Sequence, residues 1–399
     1  MFVEFHVIQS FVPSNLNRDD NNYPKSCEFG GVRRARISSQ CTKWAVRKSV
    51  PFKETIKVTT GTRTRRFMEL FKPRLVAAGK SEQEAETAIK AFTTVYAGLD
   101  PKNSEFSSVL VFLSDEDIEA MVKAILGNWE VILESVQSTE GKFPKKALQK
   151  APGLKKALAD ILKQTKGRTS APGIALFGRM LADNPEFGMD AACQVAHAIS
   201  THAVEVEYDY FTAVDDLQEK DEPGAGMINV TSFNSACYYR YACLDWEQLR
   251  INLRKQGLAE TDVDLARATV DGFMRALVEV VPTGMRNRFA QNNQPNFVLT
   301  IVRDGGPAWS LANAFEKPVY AGHEQTGLVG PSVQRLDRYW DALCRAYGDE
   351  TVRLVSFFAL DPDLADQVRC LRSKPENEAQ SLKAWREAVL SVLPEESAV

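Results

Sequence analysis

The sequence predicts an α+β protein, in which a strand-rich body is interrupted by a long helical segment. Residues 2–12 alternate well enough in polarity to form a buried strand, and residues 296–304 form a second apolar stretch of strand type. Between about residues 58 and 190, apolar residues instead recur every three or four positions, as in amphipathic helices. No glycine-rich phosphate motif follows a strand. These patterns predict a central sheet with helical and hairpin additions rather than a Rossmann fold.

Composition and length are those of a globular protein with more than one structural lobe. The 399 residues are 44% apolar and 25% charged, and no apolar run approaches the length of a membrane span. The N-terminal residues have the pattern of a strand and not of a signal peptide. Seven cysteines without a CxxC pair predict neither a disulfide framework nor a thiolate zinc site. We therefore expect a cytoplasmic protein with no cofactor.

The remaining elements follow from local periodicity. Residues 13–26 are rich in Pro, Asn and Asp and predict a loop. Two strand-like arms, 204–214 and 230–243, flank an acidic, glycine-containing segment and predict a long β-hairpin. A strand is also expected at 173–181. Helices are predicted at 66–78, 82–97, 114–127, 153–166, 189–200, 245–256, 260–280, 331–347 and 378–393.

A concentrated basic stretch stands out in a chain whose net charge is −3. No acidic residue occurs between Glu28 and Glu54, and the segment "VRRARISSQCTKWAVRKSV" is predicted to be a short strand followed by a helix through Lys48. Ser38 or Ser39 is the expected N-cap and Pro51 the expected stop. Trp44 and Val46 are expected to point into the body.

Six side chains of this stretch form what we call the basic strip. Two of them alternate in register on the strand, three share one helix face at positions i, i+3 and i+7, and one lies at the helix N-terminus, where backbone N–H groups add donors. The members are Arg34, Arg36, Ser38, Gln40, Lys43 and Arg47.

The basic strip offers guanidinium, ammonium, amide and hydroxyl donors that suit the oxygens of a polyphosphate chain. The alternative is that these charges pair with acidic groups of another subunit. A second basic segment, residues 142–168, carries eight Lys and one Arg against one Asp. It is either a solvated helix face or a further nucleic-acid contact.

Two carboxylates and two histidines require a separate interpretation. Asp19 and Asp20 could hold Mg²⁺ and cleave RNA, but neighbouring side chains in an extended loop diverge, and a role in forming the loop is favoured. His197 and His202 are five residues apart and fit packing or capping better than metal ligation. We expect no metal site.

Seven ordered blocks give the sequence a family resemblance. They are LNRDD (16–20), FGGVRRARISSQCTK–A–RKS (29–49), IALFGRM (174–180), AHAISTH (196–202), YFTAVDDLQE (210–219), YYRYA (238–242) and LANAFEKPV (311–319). Together they closely resemble the repeated backbone subunit of the type I-E CRISPR surveillance complex, Cascade. The match is strong over residues 1–50 and 174–320, whereas 58–170 matches in position and general character alone.

The resemblance implies a hand-like architecture. An RRM-like (ferredoxin-like) palm would comprise 1–57, 191–207 and 240–399, helical fingers 58–190, and a β-hairpin thumb 208–239. Copies would stack head-to-tail along a guide (CRISPR) RNA, displace every sixth nucleotide and leave the rest to pair with target DNA in antiviral defence. Other Cascade subunits and a recruited helicase-nuclease would be partners. The chain itself would be no enzyme and would not contact a membrane.

The resemblance also assigns RNA contacts. Matching positions for phosphates and sugars are Arg18, Ser38, Gln40, Lys43 and Arg47. Met180 matches a methionine that wedges against bases near the displaced nucleotide, and Tyr210 and Phe211 match thumb aromatics there. Arg286 and Arg288 lie where relatives carry a basic loop. The competing hypothesis is a metal-dependent ribonuclease of the type III backbone kind that uses Asp19 or Asp20.

Overall fold

The computed structural model describes residues 1–213, 227–254, 262–321, 327–373 and 377–394. Within these ranges the chain alternates between strands and helices. The strands are β1 Phe2–Ser14, β2 Ser26–Phe29, β3 Val32–Ile37, β4 Thr62–Thr64, β5 Val111–Leu113, β6 Cys193–Val195, β7 Ala198–Ser200, β8 Glu207–Ala213, β9 Met227–Asp245, β10 Phe297–Arg303 and β11 Val352–Ala359.

The helices are more numerous than the strands in the described ranges. They are α1 Ser39–Lys48, α2 Val50–Ile56, α3 Phe67–Ala77, α4 Glu82–Tyr96, α5 Asp115–Gly127, α6 Trp129–Gln137, α7 Lys145–Leu148, α8 Pro152–Thr165, α9 Pro172–Phe177, α10 Trp246–Asn252, α11 Val263–Glu279, α12 Arg286–Phe289, α13 Val329–Tyr347, α14 Pro362–Ala365 and α15 Leu382–Ser391. Short 3₁₀ turns occur at Pro185–Phe187, Ala312–Phe315 and Leu371–Ser373.

The chain divides into two compact units. Among the described residues, unit 1 comprises Met1–Phe52, Gln194–Leu244 and Asp271–Pro394, and unit 2 comprises Lys53–Cys193 and Asp245–Val270. The predicted palm, fingers and thumb remain a prediction, whereas the mixture of helices and strands agrees with the α+β class.

Unit 1 is organised around a mainly antiparallel sheet. Its described strands follow the order β11-β10-β1-β9-β7-β3-β2, and β8 pairs with β9 to form the hairpin. β1 pairs antiparallel with β10 from Phe2↔Arg303 to Ile8↔Phe297. Every residue of β10 is buried, because helices cover both faces of the sheet at this strand.

The two faces of the unit 1 sheet carry separate apolar layers. On one face, Phe297, Leu299 and Ile301 pack with Leu336 and Trp340 of α13, among other residues. On the other face, Phe5 contacts Phe273 of α11 and Trp385 of α15, with ring centroids 5.6 and 6.3 Å apart. Burial of these large side chains stabilises unit 1 by about 1.5–3 kcal/mol each, which is why β1 and β10 form a rigid base for the loops at their ends.

Unit 2 is mainly helical. Helices α3 to α8 enclose one apolar core that contains Phe67, Phe71, Phe92 and Tyr96. The Phe92 and Tyr96 rings stack at 5.5 Å. Ser114 and Asp117 form a reciprocal capping box at the start of α5. The predicted helices at 66–78, 82–97, 114–127 and 153–166 are confirmed within one or two residues.

Two local predictions are wrong. Residues 173–181 were expected to be a strand, but Pro172–Phe177 is helix α9, which begins with a proline in its first turn. Residues 189–200 were expected to be a helix but form the short strands β6 and β7. Strand β11 lies in a stretch for which no element was predicted. Within the described ranges, no helix combines the length and apolar character that a bilayer crossing needs.

Candidate nucleic-acid interface

The turn that opens the basic stretch is held by its contact with residue 316. Phe29 and Val32 are paired across a two-residue turn, in which Gly30 and Gly31 have φ values of 60° and 74°. A Cβ at Gly30 would lie 1.7 Å from the carbonyl oxygen of Glu316, so only glycine fits there. The FGG block and the LANAFEKPV block of the sequence therefore form one structural feature.

Arg34 completes this feature from the inside of unit 1. Its side chain is buried, and its guanidinium donates to the carbonyl oxygens of Phe29, Ser200, Phe315 and Glu316 at 2.8–3.2 Å. The prediction that Arg34 contacts RNA is not compatible with this geometry, because the guanidinium is enclosed and its donors are used. Arg34 fixes the turn on which the strip is built.

Helix α1 begins at a predicted cap, but its end is capped differently from the prediction. Ser38 is the N-cap, and its Oγ accepts from the N–H of Cys41 at 3.3 Å. The helix ends at Lys48 without Pro51: Ser49 caps it, and the Ser49 Oγ also accepts from the N–H of Phe52 in α2. Pro51 instead lies in the first turn of α2, where a missing N–H costs nothing.

Three N–H groups at the start of α1, those of Ser38, Ser39 and Cys41, already have acceptors. The N–H of Ser38 donates to Asn17 Oδ1 at 2.9 Å, and the N–H of Ser39 donates to Nδ1 of His197 at 3.3 Å. The Cys41 N–H is taken by Ser38. We therefore assign anion binding at this position to side chains and not to the bare helix N-terminus that the sequence indicated.

The members of the strip on α1 differ in exposure. Gln40 is exposed and Lys43 is half-buried, whereas Arg47 and Ser38 are buried, with 6% and 7% of their surface accessible. A direct RNA contact by Arg47 is thus disfavoured by its burial in unit 1. Trp44 is half exposed, contrary to the expectation that it points into the body.

Arg36 and His197 form a pair that the sequence did not predict. Nη1 of Arg36 lies 3.1 Å from Nδ1 of His197, and Nε of Arg36 donates to the Ser26 carbonyl at 3.3 Å. Partial burial, together with the positive charges of Arg36 and Lys25, lowers the pKa of His197 below its usual value. His197 is therefore neutral at pH 7, and its Nδ1 is an acceptor. The AHAISTH block (196–202) was the only feature of the sequence that pointed to a role for His197.

The loop after β1 connects several parts of this surface. Asn15 donates to the carbonyls of Asn22 and Ser232 at 3.0 and 2.9 Å, and thereby ties the loop to β9. Asn17 ties it to α1, as described above. Arg18 is exposed, and its Nη1 donates to Asn22 Oδ1 at 3.3 Å. The loop thus presents the Arg18 guanidinium on a stabilised backbone.

Asp19 is engaged in forming this loop. Its Oδ1 accepts from the N–H groups of Asn21 and Tyr23, both at 2.9 Å, as in an Asx turn. Asp20 is exposed. Among the residues that the structure describes, no three His, Cys, Asp or Glu side chains are grouped so as to hold a metal ion.

The hairpin β8–β9 carries aromatic side chains on both faces. Tyr210 has 74% of its surface accessible, whereas Phe211, on the opposite face, is half-buried. The guanidinium of Arg288 lies 4.4 Å above the Phe211 ring and donates to Thr231 Oγ1 on β9. Tyr210 is therefore available for stacking on a base, while Phe211 is covered by Arg288. The hairpin tip, with residues 214–219 of the YFTAVDDLQE block, falls outside the described residues.

The basic loop that contains Arg286 and Arg288 packs against the loop after β1. A Cβ at Gly284 would lie 2.4 Å from the carbonyl oxygen of Leu16, so the two backbones are in direct contact. Arg286 is exposed, and its Nε donates to Asn292 Oδ1 at 2.9 Å. Thus Arg18, Arg286 and Arg288 are brought to the same end of β1 in unit 1.

Met180 lies in unit 2. It has 87% of its surface accessible, although the preceding residue, Arg179, is buried and forms an ion pair with Asp117 at 2.8 Å. The backbone of Arg179 also forms a two-way bridge with Met189. Met180 is not a core residue. It is an apolar side chain held outward by a rigid support.

The lysine-rich segment of unit 2 includes α7 and α8. Lys145 is paired with Asp183 at 2.6 Å and Arg168 with Glu116 at 3.0 Å. Seven lysines of this segment are exposed: Lys142, Lys146, Lys150, Lys155, Lys156, Lys163 and Lys166. The segment is a solvated helix face, in agreement with the first of its two interpretations. It also retains enough exposed positive charge for the second interpretation, a nucleic-acid contact.

Comparison with known proteins places the chain in a family. Residues 3–385 match the model of the family described as CT1975-like protein. The chain belongs to the CT1975-like protein family. The search of curated proteins gave no match.

Solved structures resemble this CT1975-like chain over almost its whole length. A chain of a "CRISPR RNA-guided surveillance complex, pre-nicking" is 28% identical, with a TM-score of 0.78, and the match covers 98% of this chain and 99% of that chain. A chain of a "CRISPR RNA-guided surveillance complex" is 24% identical, with a TM-score of 0.70, over 98% of this chain and 100% of that chain. The second likeness supports the fold alone.

Proposed function

We propose that this chain is a guide-RNA-binding backbone subunit of a type I-E Cascade complex, and that it is a scaffold and not a nuclease. The observation that carries the proposal is the full-length likeness to a chain of an RNA-guided surveillance complex. The accessible cations of unit 1 support it, since the segments that carry them are held in place by buried contacts. Other subunits and a recruited helicase-nuclease complete the proposed assembly.

The interface would hold the sugar–phosphate chain and leave the bases free. Arg18, Arg36 and Lys43 supply charge-assisted donors, and Gln40 supplies a neutral amide. Arg286 adds a further cation at the end of β1. None of these side chains needs to read a base, so the contacts suit any guide sequence.

Apolar and aromatic groups would act at the displaced nucleotide. Tyr210 offers an exposed ring, and stacking on a base contributes about 1–3 kcal/mol without sequence preference. Met180 offers a flexible thioether that can fill the gap beside an unstacked base. We expect one such displacement for every six nucleotides, with the intervening bases pairing with target DNA.

The scaffold role can be separated from the ribonuclease role by one experiment. The purified chain is bound to guide RNA, supplied with complementary RNA and Mg²⁺, and the RNA is resolved on a sequencing gel. We expect intact RNA, because Asp19 is committed to the loop backbone. Cuts at regular intervals that disappear in Asp19→Ala with Asp20→Ala would establish the ribonuclease and overturn the scaffold role.

A further inference from the structure

A pocket of about 500 Å³ lies in unit 1 beside the end of β10 and the start of β11. Its walls include Trp309, Tyr339 and Tyr347, and Glu350 lies at its edge. Trp309 is anchored through its backbone N–H, which donates to Glu4 Oε1 at 2.9 Å. Glu4 is near the start of β1, whereas the loop that carries Arg18 follows the end of β1. Glu4 and Ser14, the last residue of β1, are ten positions apart, which separates the pocket from the Arg18 loop by roughly 33 Å.

The aromatic wall is rigid before anything binds. The Trp309 ring lies 5.7 Å from Trp340 and 6.3 Å from Tyr347, centroid to centroid. The buried guanidinium of Arg303 supports it from one side, 3.9 Å from the ring centroid. Tyr347 ends α13 and has 75% of its surface accessible. A large aromatic ring that is exposed beside an open pocket is typical of a binding site and not of a hydrophobic core.

The charge of the lining favours a cation as ligand. Arg303 is neutralised by its buried ion pair with Glu4 at 3.2 Å. The exposed carboxylate of Glu350 fills the space that a Cβ at Gly348 would need, which places it beside Tyr347. Within the described residues, Glu350 is in no ion pair, so the lining carries one uncompensated negative charge.

The neighbouring cations do not cancel that charge. Arg345 is paired with Asp341 at 2.7 Å, and Arg353 with Asp304. Electron-rich ring faces next to a carboxylate bind ammonium and guanidinium groups through cation–π attraction and direct charge pairing. A neutral or anionic ligand would leave Glu350 without a partner.

We propose that this pocket receives a basic side chain, that of Arg33 on β3, from a second copy of this chain. The inference rests on the proposed head-to-tail assembly, which requires two different and complementary surfaces on each copy. The acidic aromatic pocket lies beside β10 and β11 at one edge of the unit 1 sheet, and the exposed Arg33, to which no RNA contact is assigned, lies on β3 towards the other edge. Charge complementarity between them fits a heterologous contact.

The first test uses Tyr347→Ala combined with Glu350→Gln, two exposed positions that folding does not need. Copies on a long oligoribonucleotide are counted by native mass spectrometry, and binding to an RNA that holds one copy is measured by fluorescence anisotropy. We expect one-copy affinity within twofold of the unmodified chain, and filling of the long RNA to need at least roughly tenfold more protein. Tyr347→Phe keeps the ring and should fill the long RNA normally.

Unchanged filling by the double variant would overturn the pocket proposal and leave the proposed function intact. An unmodified chain that never places a second copy on long RNA would overturn both. A photo-crosslinking benzoylphenylalanine at position 347 identifies the occupant. We expect a crosslink to a peptide from residues 18–48 of another copy. A crosslink to RNA, or none between copies, would contradict the assignment.

Discussion

Arg36 and Lys43 are the side chains through which we expect unit 1 to hold the sugar–phosphate chain. Replacing both with alanine removes two charge-assisted contacts that no base identity can modulate. The affinity for RNA should fall, and it should fall equally for guides of unrelated sequence. The slope of log affinity against log salt should decrease by about 0.7 for each lost contact with single-stranded RNA. Anisotropy titrations at several salt concentrations measure both quantities.

Arg338→Ala is the matched control for this prediction. Arg338 is an exposed arginine on α13 to which no RNA contact is assigned. The control removes one of the two positive charges that the double variant removes, and it should leave the salt slope unchanged. A loss that depends on the guide sequence would mean that Arg36 or Lys43 contacts bases, contrary to the phosphate assignment.

Arg179 and Met180 are adjacent residues with opposite roles in unit 2. Arg179→Ala leaves the buried carboxylate of Asp117 without its cation, so we expect the free energy of unfolding to fall by about 3–5 kcal/mol. Met180→Ala should change it by less than about 0.5 kcal/mol, because the side chain is exposed. Chemical denaturation checks both. A large destabilisation by Met180→Ala would mean that Met180 is a core residue, contrary to its exposed position.

Residue types were easier to predict from sequence than their burial. The basic stretch correctly marked Arg36 and Lys43 as accessible or partly accessible cations. It could not show that Arg34 is enclosed, because its four carbonyl partners include residues up to 282 positions away. His197 was missed as a partner of Arg36 for the same reason.

Among the elements, the hairpin β8–β9 is the one that we expect to produce the periodic displacement of bases. Ala213 and Met227 are directly paired, so a two-residue Asn-Gly turn can replace residues 214–226 and close the hairpin. The variant should fold with an unchanged unfolding midpoint and still bind RNA. Nuclease protection of the bound RNA should lose its six-nucleotide periodicity. An unchanged footprint would refute the role of the thumb.

Element prediction succeeded where amphipathic periodicity was strong. Helix α1 and the long helices of unit 2 were placed within one or two residues. It failed at residues 173–181, where the short, buried apolar run 173–176 fits a strand or a helix equally well. It also failed at 189–200, where pairing with distant strands overrides local helix propensity.

At the scale of the whole molecule, the account requires that copies of the chain repeat along one RNA. Each copy would contribute an RNA-binding surface and an aromatic, acidic pocket, both in unit 1. A repeating heterologous contact of this kind continues until the RNA or a different subunit ends it. Copy number should therefore be set by RNA length.

Native mass spectrometry of the purified chain on oligoribonucleotides lengthened in six-nucleotide steps tests this claim most directly. We expect the maximum number of bound copies to rise by one with each step, and to be the same for guides of unrelated sequence. A number that stays at one on every RNA, or that follows guide sequence instead of length, would contradict the account.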